Sequence, residues 1–96
     1  MTKFSMRVIS IFDRRTSIRL ATTEWQALDD ICKREKIKRK RLFELISENK
    51  EEGVGFTCSV RLFVIAYMRA LMNSELNFSG TGSNYPCVSE VIKLIA

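Results

Sequence analysis

The segment RTSIRL, residues 15–20, constrains this chain more than any other stretch. It alternates strictly. Thr16, Ile18 and Leu20 point to one face, and Arg15, Ser17 and Arg19 to the other, because successive strand side chains take opposite sides. A strand of six residues cannot satisfy its own backbone donors and acceptors, so it needs a partner strand. MRVISIF, residues 6–12, is β-branched and reads as a second short strand, with Asp13-Arg14 as the tight turn between the two. That turn holds no glycine, which weakens the hairpin signal.

Helical periodicity begins at ATTEW. Thr22 or Thr23 is the expected cap, and Glu24 suits the positive end of the helix dipole. Trp25, Leu28, Ile31 and Cys32 form one apolar face, and the helix is expected to end at Glu35–Lys36, with Ile37 turned inward as a plug. A second helix is expected from Lys38 or Arg39 to Asn49, its inward stripe made by Leu42, Leu45 and Ile46 with Phe43 beside it. ENKEEGVGF breaks the pattern. A third helix, capped by Thr57 and running to about Met72, is apolar nearly all round, which in so small a chain implies burial against a partner subunit. NSELNFSGTGSNYP reads as a linker. CVSEVIKLIA reads as a short amphipathic helix through Val88, Val91, Ile92 and Ile95.

Charge is distributed unevenly over the 96 residues, whose net charge is +5. Residues 1–47 hold twelve Lys/Arg against six Asp/Glu, and residues 48–96 hold four against five. KREKIKRKR, residues 33–41, places seven cations where one helix stops and the next begins. Lys38, Arg39, Lys40 and Arg41 oppose the dipole of the second helix, at about 0.3–1 kcal/mol each, unless an anion docks there. A phosphate at that N-terminus reverses the sign, because free N–H groups and cations then act together. The basic half is the half that suits a polyanion.

Other function classes fit poorly. The chain has no histidine, which removes the commonest general base and the commonest nitrogen ligand of zinc. Cys32, Cys58 and Cys87 are odd in number and lack CxxC spacing, so they read as reduced, apolar residues rather than as a metal site or a disulfide framework. No nucleotide-binding glycine motif and no nucleophile elbow occurs, and the adjacent acids Asp29–Asp30 and Glu51–Glu52 do not face each other on a helix. No catalytic residue, metal or cofactor is expected. No apolar run is long enough for a membrane span and no signal peptide is read, so a cytoplasmic protein is expected.

The order strand, helix, short turn, helix, with these residues, resembles the ribbon–helix–helix DNA-binding domain, the superfamily of the Arc and MetJ repressors. The likeness is to a bacterial subgroup with an R-T-S-apolar-x-Leu strand, here Arg15 to Leu20. It also has a Trp five residues after that Leu, here Trp25, and a later Ser-x-Arg-apolar-Phe-Val helix, here Ser59 to Val64. It covers about residues 7–72, with RVISI similar to an apolar segment that precedes the strand in the subgroup. The resemblance implies a mainly α fold with a short N-terminal strand. It implies an intertwined homodimer with an intersubunit antiparallel β-ribbon, extended by extra C-terminal helices. It implies a regulator of transcription, as a repressor, with double-stranded DNA as partner. Arg15, Ser17 and Arg19 would face bases, and Lys36, Lys38, Arg39, Lys40 and Arg41 would face phosphates. Ile18, Leu20, Trp25, Leu28, Ile31, Leu42, Leu45, Ile46, Phe63 and Tyr67 would form the dimer core. The chain departs from the family in the turn, where many relatives carry glycine and a capping Ser or Thr and this chain carries Lys36 and Lys38.

The expected organisation is an N-terminal arm or extra strand over 1–13 and a ribbon–helix–helix core over 14–50. A third helix over 51–73 and a linker with a short helix over 74–96 complete it. Two alternatives stand beside DNA reading. One is an antitoxin-like interaction module whose residues 74–96 hold a protein partner through Val88, Val91, Ile92 and Ile95. In the other, residues 1–12 pair beside the ribbon and block its access to the groove.

Overall fold

The hairpin expected near the N-terminus forms, and it is longer than the sequence pattern suggests. A computed structural model of the chain describes residues 3–76 and 87–95. Strand β1 (Phe4–Ile11) pairs antiparallel with β2 (Arg14–Ala21), from Phe4 opposite Ala21 to Ile11 opposite Arg14. The turn is Phe12-Asp13 rather than Asp13-Arg14. Both turn residues have positive φ, 48° and 64°, the geometry a two-residue hairpin loop requires to match strand twist. Aspartate tolerates it; for phenylalanine it is strained. β2 pairs with β1 of its own chain along its whole length. Its other edge carries no strand among the described residues.

Helix α1 (Thr22–Glu35) follows β2 without a loop. The residue before it is Ala21, not Thr22 or Thr23, and Ala21 has no side-chain acceptor. Glu24 compensates from the other direction: its Oε1 accepts the Ala21 N–H at 2.7 Å. Thr22 instead donates its hydroxyl to the Lys3 carbonyl, and its N–H goes to the same carbonyl at 2.8 Å. The helix ends in a Schellman turn. Lys36 takes the left-handed conformation (φ 55°, ψ 44°), its N–H reaches the Lys33 carbonyl, and the Ile37 N–H reaches that of Cys32. Ile37 packs against the core as expected.

Helix α2 (Arg39–Asn49) starts from Lys38, which offers no capping side chain, and its first turn holds no acid. Helix α3 (Phe56–Leu76) is longer than expected at both ends; its first turn is closed by the Ser59 N–H on the Gly55 carbonyl, so Thr57 lies inside the helix. Helix α4 (Val88–Ile95) packs on α3 and α2 and buries Val88, Val91, Ile92 and Ile95. Sheet and helices share one core. Ile18, Leu20, Trp25, Leu28, Ile31, Leu42, Ile46, Phe63 and Tyr67, expected to meet a partner chain, are buried by this chain's own elements, and Leu45 is half-buried. The large apolar side chains that α3 leaves exposed, among the described residues, are Leu62, Ile65 and Met72.

The turn between α1 and α2 is therefore built at a cost. A non-glycine residue in the left-handed region costs about 1–2 kcal/mol, offset in part by the greater unfolded-state entropy of glycine. Lys36→Gly is expected to gain about 0.5–1 kcal/mol net. Lys38→Ser, which supplies a capping hydroxyl, should gain about 1 kcal/mol. Thermal unfolding of each variant should show a rise of a few degrees; an unchanged or lower midpoint for Lys38→Ser would mean that the cap is satisfied in another way.

Candidate nucleic-acid interface

The register of the hairpin decides which side chains share its outward face. Arg15, Ser17 and Arg19 lie on it, all exposed, and their direct cross-strand neighbours are Ser10, Val8 and Met6. Phe4, opposite Ala21, extends the row. The face thus has a cationic column on β2 and an apolar column on β1, with Met6 68% and Val8 61% exposed. It carries no carboxylate. Ile18 and Leu20 point inward and are fully buried. β1 flanks the expected base-reading column and leaves it uncovered.

The backbone of β2 is half used. Thr22 donates to Lys3 across the ladder, and antiparallel pairs alternate between bonded and non-bonded. In that phase residues 14, 16, 18 and 20 bond to β1. The N–H and C=O groups of Arg15, Ser17 and Arg19 then point to the open edge. The sole contact there among the described residues is a 3.5 Å approach of Arg61 Nη2 to the Arg19 carbonyl. Arg61 is drawn to this corner by Glu24, whose Oε2 lies 3.2 Å from its Nε. The guanidinium carbons of Arg19 and Arg61 sit 5.7 and 5.8 Å from the centroid of the Phe4 ring, so Phe4 holds the Arg19 side chain from the neighbouring strand.

The basic run divides into two groups. Arg39 donates to the Asp29 carboxylate and lies over the Trp25 ring, 5.6 Å from its centroid. Arg41 lies 3.6 Å from Glu44 and 3.7 Å from Glu48. Both are expected phosphate contacts, and both also pair with acids of this chain. Lys36, Lys38 and Lys40 are exposed, with no ion pair or side-chain hydrogen bond among the described residues. They surround the uncapped start of α2, whose first N–H groups are unpaired by any side chain. Arg7 of β1 also lies over Trp25, at 4.5 Å, and α2 packs against β1. The free lysines therefore sit on the β1 side of the sheet.

Sequence reasoning missed the apolar column of β1, because Met6 and Val8 acquire their place only through the register. It also missed a half-buried polar cluster around Tyr67. Tyr67 donates to Glu35 Oε2 and accepts from Arg34, both at 2.5 Å, while Glu35 Oε1 accepts the Val88 N–H that opens α4. Burial, followed by the hydrogen bond to Glu35, pushes the Tyr67 phenol up to about 12. Burial also raises the Cys32 thiol, which makes it a poor nucleophile. Among the described residues no group of three or more potential ligands is placed to hold a metal, and no helix is long and apolar enough to cross a membrane.

The sequence profile of the ribbon–helix–helix domain matches residues 4–68. Among solved structures, the chain is similar to an uncharacterized protein from Bordetella pertussis Tohama I. The TM-score is 0.65 and the identity 18%, covering 94% of this chain and 75% of that one. Among curated proteins none matches the chain.

The Tyr67 shift carries a testable pH dependence. A phenol whose pKa rises on folding stabilises the fold below its ordinary value near 10 and loses that contribution as pH climbs through about 12. Stability is expected to be insensitive to this group below about pH 10 and to fall from there towards 12. Phenolate absorbance should report late ionisation of Tyr67, and Tyr67→Phe should remove the late step; ionisation at the ordinary value would contradict the burial.

Proposed function

Because the chain belongs to the ribbon–helix–helix domain family, we propose that it is a dimeric, sequence-specific binder of double-stranded DNA that represses transcription. Domains of this family are DNA-binding or protein-interaction modules. The observation that carries the DNA reading is the column Arg15, Ser17 and Arg19, exposed on a strand whose far edge is open. A β-ribbon fits the major groove. Arginine donates two parallel hydrogen bonds to guanine O6 and N7, and serine serves several base edges.

The same edge supports a dimer. The outward backbone groups of residues 15, 17 and 19 are complementary to those of a second β2 running antiparallel. Beside them lies an apolar groove of about 310 Å³ between α1 and α3, lined by Ala27, Val64, Ile65, Met68 and Met72. A copy of the chain that pairs along β2 brings helices to that groove and covers the exposed Ile65 and Met72. Lys36, Lys38 and Lys40 then act as the backbone clamp, three per chain.

The interaction-module reading is less well supported. Val88, Val91, Ile92 and Ile95, the anchors it would offer to a partner, are buried against this chain's own α3 and α2. The rest of that tail, residues 77–86 and 96, lies outside the described residues.

With three free lysines per chain, about six phosphates are neutralised per dimer. The logarithm of affinity should then fall against the logarithm of salt with a slope near about −5. Arg19→Ala should lower discrimination between sites, each lost bidentate contact being worth about 1–3 kcal/mol. Lys38→Ala with Lys40→Ala should weaken all duplexes alike and make the slope shallower by about 3 to 4. Fluorescence anisotropy with a selected and a scrambled duplex separates the two. Equal losses on both duplexes for Arg19→Ala would mean that β2 does not read bases.

A further inference from the structure

On the reading above, β2 meets bases and the start of α2 meets phosphate. Between them lies β1. α2 packs against β1, and Arg7 and Arg39 approach the same Trp25 ring from those two elements. Any duplex that touches both Arg19 and Lys38 must pass over the outward face of β1. That face holds Met6, Val8 and Ser10, and Met6 and Val8 are more than half exposed. An exposed apolar column beside unopposed arginines is costly in water and has no partner among the described residues.

We infer that Met6 and Val8 are specificity-determining residues that contact thymine methyl groups flanking the base pairs read by Arg15, Ser17 and Arg19. This rests on the DNA-binding reading. The chemistry fits. Thymine alone among the bases presents a methyl group in the major groove, and apolar side chains are its natural contact. The dimensions set where β1 lies. Strands lie about 4.8 Å apart, so a sheet of β1, β2 and their two copies spans about 14 Å between its outer strands, somewhat more than the groove's width of about 12 Å. The outer strands are then set at the groove walls. A thymine methyl is the outermost group on its base pair's major-groove edge, next to that wall. From the two-fold axis outward the order is arginines on bases, Met6 and Val8 on methyl groups, and lysines on phosphates. Phe4, beneath Arg19, belongs to the same column but acts through that guanidinium, so it is a positioning residue.

The test uses the full chain and the duplex that it selects from a random library. Each thymine in that duplex is replaced singly by deoxyuridine, which removes the methyl and leaves every hydrogen-bonding group. Wild-type affinity should fall about threefold to fourfold at the flanking thymines, the worth of one buried methyl. Val8→Ala and Met6→Ala, both at exposed positions where the fold should tolerate them, should bind thymine and deoxyuridine duplexes equally at the position that each residue contacts. Selection of a motif with no deoxyuridine effect anywhere overturns this inference and leaves the DNA-reading function standing. Variants that stay as methyl-sensitive as wild type also overturn it. Failure of the wild type to select any motif removes both together.

Discussion

The indole of Trp25 is the contact on which the arrangement depends. It is 2% exposed and ties α1 to β1 and α2. Its Nε1 donates to the Ser5 carbonyl of β1 at 3.0 Å, and its ring meets Phe43 of α2 edge-on at 6.3 Å. Arg7 of β1 and Arg39 of α2 approach the same ring. A two-stranded hairpin is marginal in water by itself, and β1 turns a largely exposed face outward. Trp25 holds that strand to the helices with an edge-on aromatic pair and a hydrogen bond, each worth about 1 kcal/mol, beyond the area it buries. It thereby ties two relations together: the hairpin over α1 and the start of α2 beside β1.

The start of α2 departs from what a stable helix start requires. A helix is most stable with a hydroxyl or carboxylate cap and acids in the first turn. This one begins with Lys38 and three further cations and follows a lysine held in a glycine's conformation. The chain relieves part of the strain by pairing Arg39 with Asp29 and Arg41 with Glu44 and Glu48. Lys36, Lys38 and Lys40 are left without such relief among the described residues. Three departures from helix-start rules thus meet at one place: a left-handed lysine, a missing cap and a first turn without acids.

How much of this the sequence disclosed depends on the range of the interactions. The helices were legible, because apolar spacing over ten or more residues is a strong signal; α2 and α4 fall where periodicity put them. Inward and outward faces of β2 were legible from alternation alone. The hairpin turn was displaced by one residue, because Phe12 occupies a backbone conformation that nothing in its chemistry favours. The caps were misplaced because Glu24, reaching back to Ala21, does from inside the helix what Thr22 was expected to do from its end. The pairing within the basic run was not legible, since the partner of Arg39 is ten residues away and only folding brings Asp29 to it. The apolar residues assigned to a dimer core pack among this chain's own elements, a matter of packing volume that spacing does not encode. Among the described residues, Leu62, Ile65 and Met72 of α3 stay exposed, and the outer edge of β2 carries no strand.

The most direct test of the account is selection of bound sequences from a random duplex library at about 150 mM salt, where non-specific electrostatics are screened to their physiological extent. An open-edged β2 paired with its copy, with arginines on the outward face, predicts a motif with two-fold symmetry and guanines at the positions that Arg15 and Arg19 reach. Recovery of duplexes without a shared motif would contradict it, leaving the lysines of the α1–α2 turn as a backbone clamp with no reader beside it.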